Sequence, residues 1–527
     1  MDIIIPMAGH SRRFLAKGYS VPKFLIDIDG RTMIEHVIEM FSSQDTFHFI
    51  VNTDQVQACP QLIKDLKRLA ARTEVYVIAS HEKGPVYSAL KIPVKDPNAP
   101  VIVSYCDFKV EWDYRRFLEI ARQSDGSMAV FRGFHPASMG HTLYAYVRTQ
   151  GDQMLELREK ESFTPVRTEE FASAGIYYFS RWEQLTQYGE EVLNTPDPRL
   201  KEGYVSLLFN PMVKSGEKIT VFEVDKFICW GTPEDLEQYQ YWASHFSGEN
   251  SNERSSHEGI NLIPMAGQGM RFREFGYRVA KPLIQVDHCP MIVKASHSFP
   301  KPLSWIYLVS QDEFNRERLQ RAIGRSSIEN AKFISVPKLT LGPADTCLLA
   351  ESQIPPESPV FIASCDYEMG FDSMKWQQLV RDSEVDGIIF TFRLKSLPVR
   401  SYHAFAYCQL DPDGKSVRKI VEKKVVSEHP ENDPMVIGSF WVRHSKDLFW
   451  AIRASMENKD SVNGEYYVGT SLNQLLSKGH RFISFDVDRW ISYGDPLELR
   501  LYEYWQDYFL KANGSEGSDR LVNIRPL

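Results

Sequence analysis

Residues 3–14 read IIIPMAGHSRRF, and residues 261–272 read NLIPMAGQGMRF. In each stretch an apolar run, Ile3 to Ile5 or Leu262 to Ile263, leads into a turn that carries glycine and then arginine, and a lysine follows ten positions after the arginine (Arg13 to Lys23, Arg271 to Lys281). A buried strand ending in a Gly-rich turn lets backbone N–H groups approach a phosphate chain, because no side chain stands in the way. Arginine and lysine just beyond it supply positive charge suited to a polyphosphate. A single turn of this kind reads more readily as an ordinary tight turn than as a phosphate site. Its recurrence with the same spacing makes a phosphate site the reading to carry forward.

The repeat extends outward from there. KGPVYSAL (residues 83–90) is matched by LGPADTCL (341–348), and SYCDF, with Asp107, is matched by ASCDY, with Asp366. An aspartate where an apolar strand ends either caps the following turn or faces the ligand crevice and holds Mg²⁺. LELREKE holds Glu159 and Lys160, and RKIVEKK holds Glu422 and Lys423. Such a pair reads as a solvated surface contact or as a cation beside a phosphate crevice. Strands bearing Gly175 and Gly438 follow. Each half then closes on FEVDKFICWGTPEDL or FDVDRWISYGDPLEL, which align Asp225 with Asp488 and Gly231 with Gly494.

Between these marks, apolar strands alternate with helical patterns. TMIEHVIEMF (residues 32–41) has helical spacing, FHFIVN and TEVYVIAS read as strands, and a polar helix is expected around residues 61–71. The alternation predicts a doubly wound α/β fold with a mostly parallel sheet, ligands lying beyond the carboxyl ends of its strands. Two domains are expected, 1–246 and 259–512, joined by a polar linker at 247–258 and followed by a polar tail at 513–527.

Composition narrows the class. A net charge of −8 gives no reason to expect a nucleic acid partner. The seven cysteines are scattered, without a C-x-x-C pair, which fits a reducing cytoplasm better than a disulfide framework. No apolar run is long enough to predict a membrane span, and Pro6 and Gly9 interrupt the first apolar run too early for a signal peptide.

With PMAGQGMRF, AKPL, LGPADTC, ASCD, VEKK, NGEYYV and YGDPLEL in order, and their first-half counterparts PMAGHSRRF, VPKFL, KGPVYSAL, SYCDF, REKE, EGYVSLLF and WGTPEDL, each half resembles the sugar-phosphate nucleotidylyltransferases. The likeness is nearest to bacterial members serving capsule and surface polysaccharides. It implies two tandem Rossmann-like domains, related to the nucleotide-binding glycosyltransferases, with mixed, mostly parallel sheets. It also implies a Mg²⁺-dependent reaction in which a sugar 1-phosphate or similar phosphomonoester attacks a nucleoside triphosphate and releases pyrophosphate.

By matched position, the resemblance assigns Arg13, Lys23, Arg271 and Lys281 to catalysis. It assigns Ala8, Gly9, Gly84, Ala266, Gly267, Gly269 and Gly342 to the nucleotide, and Lys160, Lys423, Glu159, Glu422, Gly175 and Gly438 to the acceptor phosphate. Asp107 and Asp366 would hold the metal. Many relatives carry a second metal-binding aspartate where this chain has Cys229 and Ser492, and Asp225 and Asp488 are the expected substitutes. The first half also has Ser11 for the second turn glycine, Phe24 for a proline, and Val86 and Tyr87 for Ala344 and Asp345. Three readings stay open: an enzyme with two nucleotidyltransferase domains, of which one or both are active and an inactive one would be a scaffold keeping a family-like internal dimer contact; a glycosyltransferase; and a non-catalytic protein that senses nucleotides or organises a pathway complex. A homo-oligomer is compatible with each. The lone aspartate in C-D-F-K and in C-D-Y-E speaks against the glycosyltransferase, whose sites usually show a D-x-D pair.

Overall fold

The computed structural model describes residues 1–139, 144–247, 255–311, 313–394 and 402–512. The chain divides into two compact units, Met1–Gln240 and Tyr241–Leu527. The expected tail at 513–527 lies outside the described residues, as do 248–254 of the expected linker. The rest of that linker is not loose. His257 N donates to Lys301 O (3.0 Å) and Lys301 N to Ser255 O (2.8 Å), while the buried His257 ring bonds Asn261 Oδ1 at 2.8 Å. Residues 255–258 thus belong to the second unit's packing.

Each unit is built on a mixed sheet. In the first, the strands lie in the order Thr73–Ile78, Thr46–Asn52, Asp2–Pro6, Val101–Ser104, Phe171–Phe179, Gly126–Phe131, Ile219–Glu223, Gln153–Glu159 and Ala145–Gln150. The first four are mutually parallel, whereas Phe171–Phe179 runs antiparallel to both its neighbours. The second unit repeats the order with Ala331–Val336, Ser304–Ser310, Ile260–Pro264, Val360–Ile362, Met435–Val442, Gly387–Phe392 and Phe482–Asp486. Beside each sheet lies a two-stranded antiparallel ribbon, Phe108–Glu111 with Lys226–Cys229 and Tyr367–Gly370 with Arg489–Ser492.

The opening strands are central because they are apolar on both faces. Ile3 and Ile5 pack with Phe47 and Phe49 on one side of the sheet, and Ile4 packs with Ile50 and Val103 on the other, as the two-residue strand period requires. Each of these isoleucines is fully buried, a contribution of about 1.5–3 kcal/mol apiece. The helix predicted at 32–41 forms over Met33–Ile38, started by a capping box between Thr32 and Glu35. The polar helix around residue 61 is one short element, Leu62–Leu66. The result places the 7–11 and 265–269 turns at the carboxyl edge of each sheet, between two parallel neighbours.

Candidate functional site

The same ion pair sits at this edge in both units. Asp366 follows the strand Val360–Ile362, and Lys281 opens the 3₁₀ turn Lys281–Leu283. Lys281 Nζ donates to Asp366 Oδ2 (2.6 Å) and to Gly494 O (3.1 Å). In the first unit Lys23 Nζ donates to Asp107 Oδ2 (2.5 Å). Burial opposes both charges in the second pair, but the ammonium at contact distance wins and holds the Asp366 carboxyl below its ordinary range. Burial likewise works to discharge Lys281, and the facing Asp366 carboxylate keeps it protonated. A Cβ on Gly494 would come within 3.1 Å of Asp366 Oδ2, and one on Gly231 within 3.3 Å of Asp107 Oδ2. Glycine therefore leaves one side of each carboxylate clear.

A second acid stands close by that the sequence reading did not single out. Glu498 Oε2 accepts from Ser492 Oγ (2.6 Å) and Asp495 N (3.1 Å), and Asp235 Oδ2 accepts from Thr232 N (3.0 Å) and Thr232 Oγ1 (2.8 Å). Burial raises both carboxyls, and the charges of Asp366 and Asp107 raise them further. The sequence signal was a capping box just after the closing glycine, Thr232 to Asp235 and Asp495 to Glu498.

Asp225 and Asp488 do not join this group. The ribbon pairs Tyr367 with Ser492 but Gly370 with Arg489, so Asp366 and Asp488 lie at opposite ends of it, about 17 Å apart along the strand. Asp488 is exposed and shares the surroundings of Lys375 and Asp372, and Asp225 N bonds Glu111 O at the equivalent far end. Among the described residues, no cluster of three or more His, Cys, Asp or Glu could hold a metal. Mg²⁺ commonly takes only one or two carboxylates and completes its shell with water and substrate phosphates. The hard oxygens of Asp366 and Asp107, each open on its glycine side, fit such a site.

The turns themselves differ in strain. A Cβ on Gly9 or Gly267 would meet nothing within 4 Å, so both leave the space above the strand open. Gly269 begins the helix Met270–Glu274 in the left-handed region (φ 60°), and Ser11 takes the same conformation (φ 51°) without glycine's freedom. Ala8 is buried, its carbonyl accepting from Asn52 Nδ2 (2.8 Å), and Ala266 packs half-buried on the second unit's core. Arg13 and Arg271 stand exposed on the helices that follow.

Gly84 and Gly342 serve the fold directly. Their φ values are 90° and 125°, and a Cβ would come within 2.8 Å of Gly203 N and O, or 2.6 Å of Tyr466 O. The chain there locks onto a distant segment through Tyr466 N to Leu341 O (2.7 Å) and Ala344 N to Tyr466 O (3.0 Å).

Lys160 and Lys423 both adopt left-handed backbone (φ 58° and 52°), unusual for lysine. Lys160 Nζ donates to Tyr204 OH (2.6 Å) and lies 4.5 Å from that ring's centre; for Lys423 and Tyr467 the distances are 2.5 and 4.7 Å. Tyr467 OH in turn bonds Glu465, and the charge of Arg271 also reaches it. The neighbouring acids are not solvated surface partners. Burial raises Glu159, which accepts from Ser206 Oγ (2.5 Å), and it pushes Glu422 up to about 7 against the pull of Lys423. Gly175 and Gly438 sit where the strands Phe171–Phe179 and Met435–Val442 slip register, bulges packed against Phe108 and Tyr367 beside the aspartates.

The two clefts part company at the rim. In the first unit Tyr87 lies under Lys83 and Lys91 (4.8 and 4.4 Å to the ring centre) and 4.5 Å from the His81 ring. Burial, and then the charges of His10, Lys83 and Lys91, lower His81. The second unit has Gln268, Leu339, Leu341 and Leu349 at the matching positions, and Met270 for Arg12. These leucines and Met270 are 40–67% exposed. Asp345 replaces Tyr87 and accepts from Leu341 N (2.8 Å).

Residues 3–170 match the model of the MobA-like NTP transferase domain, and residues 260–508 match that of the nucleotidyl transferase family. No curated protein matches the chain. Among solved structures, a nucleoside-diphosphate-sugar pyrophosphorylase from Vibrio cholerae RC9 is 21% identical over 45% of this chain and 98% of its own, with a TM-score of 0.37. An inositol-1-phosphate CTP transferase from T. maritima is 14% identical over 48% of this chain and 98% of its own (TM-score 0.35). A UDP-glucose pyrophosphorylase complexed with UDP-glucose is 18% identical over 48% and 100% (TM-score 0.39). The chain belongs to the nucleotidyltransferases, with a MobA-like domain in its first half and a nucleotidyl transferase domain in its second.

Proposed function

We propose that this enzyme condenses a nucleoside triphosphate with a sugar 1-phosphate or a related phosphomonoester. An oxygen of the acceptor phosphate forms a bond to the α-phosphorus, the bond from that phosphorus to the β-phosphate bridging oxygen breaks, and pyrophosphate leaves with the electron pair. The observation that carries this reading is the Lys–Asp pair repeated at the carboxyl edge of both sheets, Lys23 with Asp107 and Lys281 with Asp366. A lysine kept protonated there neutralises charge that builds on the α-phosphate oxygens as the displacement proceeds. Asp107 or Asp366 would hold Mg²⁺ together with the triphosphate, and the ion would supply charge neutralisation of the same kind.

Arg13 and Arg271 grip the triphosphate above the open face of Gly9 and Gly267, and Lys160 and Lys423 receive the acceptor phosphate. Holding both reactants in line contributes most of the acceleration such reactions need, since the protein does little covalent chemistry itself. The product, a nucleotide sugar or its analogue, suits transferases that build surface polysaccharide. Among the described residues no helix is long and apolar enough to cross a membrane.

The test is release of pyrophosphate across four nucleoside triphosphates and a panel of sugar 1-phosphates and other phosphomonoesters, with and without Mg²⁺. Asp107→Ala and Asp366→Ala each abolish the turnover of their own unit. Turnover that survives both changes together overturns the assignment. A second reading, in which only the Tyr241–Leu527 unit is catalytic, draws on Ser11 and Tyr87, which burden the first cleft. It predicts that Asp107→Ala is silent.

A further inference from the structure

The lysine that follows the Glu in each half is not simply exposed beside the cleft. It is pinned in the same way twice, by a tyrosine 44 residues further on, Tyr204 for Lys160 and Tyr467 for Lys423. The segments bearing the tyrosines, EGYVSLLF and NGEYYVGTSL, have diverged around them. Both lysines take left-handed backbone, and in both the ammonium sits over the ring and donates to its hydroxyl.

We propose that Tyr204 and Tyr467 are positioning residues for the acceptor, each holding its unit's lysine so that the ammonium's remaining N–H groups meet the oxygens of a phosphomonoester. An ammonium has three donors; with one committed to the tyrosine hydroxyl, two are left for an incoming dianion. The ring adds an attraction that keeps the cation from swinging into solvent, where a four-carbon stem would otherwise sample many rotamers. In the second unit the hydroxyl donates to Glu465, which turns its lone pair toward Lys423. The assignment rests on the proposed reaction and adds what selects and orients its second substrate.

The experiment is steady-state pyrophosphate release by the full chain, varying the phosphomonoester at saturating triphosphate and then the reverse. Tyr467→Phe keeps the ring and removes the hydroxyl, and Tyr467→Leu removes both. The same series is made at Tyr204 and read in whichever unit the aspartate variants show to be turning over. Tyr→Phe is expected to raise KM for the phosphomonoester about tenfold, and Tyr→Leu about fiftyfold, with KM for the triphosphate within about twofold of the parent. In a Lys423→Gln background, Tyr467→Leu adds nothing further. The proposal is overturned if both KM values rise together, if neither moves, or if the tyrosine and lysine losses multiply. Should the leucine variant fail to fold, the phenylalanine variant alone decides. A parent chain that releases no pyrophosphate with any substrate pair sinks the reaction and this inference together; an active parent with indifferent tyrosine variants sinks the inference only.

Discussion

Removing one half of the Lys281–Asp366 pair makes a sharp test, because the structure fixes both the sign and the size of the effect. Their side chains are 21% and 20% exposed, so neither charge is well solvated. Breaking a fully buried pair costs about 3–5 kcal/mol, since the survivor is left uncompensated. Here Gly494 O still accepts from Lys281 and some water reaches the site, so Asp366→Asn is expected to cost about 2–3 kcal/mol. For a unit of this size that lowers its melting transition by about 5–10 °C.

Lys281→Met costs a similar amount at neutral pH but reverses the pH dependence. In the parent the Asp366 carboxyl is held low, so its contribution is present above the ordinary carboxylate range and is lost as the pH falls through the depressed value. Without the ammonium, burial is the largest influence remaining and raises the carboxyl. Stability is then greatest in acid and is lost as the pH rises. The double change Asp366→Asn with Lys281→Met leaves no orphaned charge and recovers most of the loss, while pyrophosphate release by the second unit stays abolished. Thermal unfolding of the four proteins between pH 4 and 8 measures the stabilities, and pyrophosphate release in an Asp107→Ala background reads the second unit's turnover. If the single losses simply add in the double variant, the two groups are not coupled and the site has been misread.

Glu422 gives a second pH effect. Burial pushes its carboxyl up to about 7, so charging it costs folding energy that accumulates from the ordinary range of about 4.5 up to that value. Glu422→Gln should therefore remove a fall in stability between about pH 5 and 7, and a variant whose pH–stability curve runs parallel to the parent's over this range would contradict the burial argument. Gly342→Ala should destabilise by about 3 kcal/mol or more, because its Cβ would lie 2.6 Å from Tyr466 O at a φ of 125°. Gly267→Ala, in open space, should leave the melting temperature alone and weaken triphosphate binding; calorimetry that finds the two glycines equivalent would refute the distinction. Lys83→Leu with Lys91→Leu, tested in an Arg271→Ala, Lys281→Met background that disables the second cleft, should weaken triphosphate binding about tenfold and flatten its salt dependence. An unchanged salt slope would show that the rim cations do not meet the ligand.

Much of the site was legible in the chain because a fused duplicate supplies its own control. The strand, turn, arginine and lysine recur at one spacing, and the fold brings that lysine to the aspartate marked by SYCDF and ASCDY. What sequence spacing did not reveal follows from geometry. Asp225 and Asp488 were expected to stand in for an acid four residues downstream, which holds only if the chain stays compact there. It runs as an extended ribbon instead, and four residues carry a side chain about 13 Å away. Tyr204 and Tyr467 meet their lysines through tertiary contact across 44 residues, beyond any periodic pattern.

The divergence between the halves is as informative as their likeness. Neither core shows a loss of packing: Ile3–Ile5 and Leu262–Ile263 are fully buried, and the Lys–Asp pair persists in both. At the cleft mouth, His10, His81, Lys83 and Lys91 of the first unit correspond to Gln268, Leu339, Leu341 and Leu349 of the second. A scaffold domain freed from catalysis would be expected to lose its buried charges first, because they cost more to keep than an exposed lysine does. Two working sites therefore predict that Asp107→Ala and Asp366→Ala each remove part of the turnover, whereas a scaffold first unit predicts that Asp107→Ala removes none.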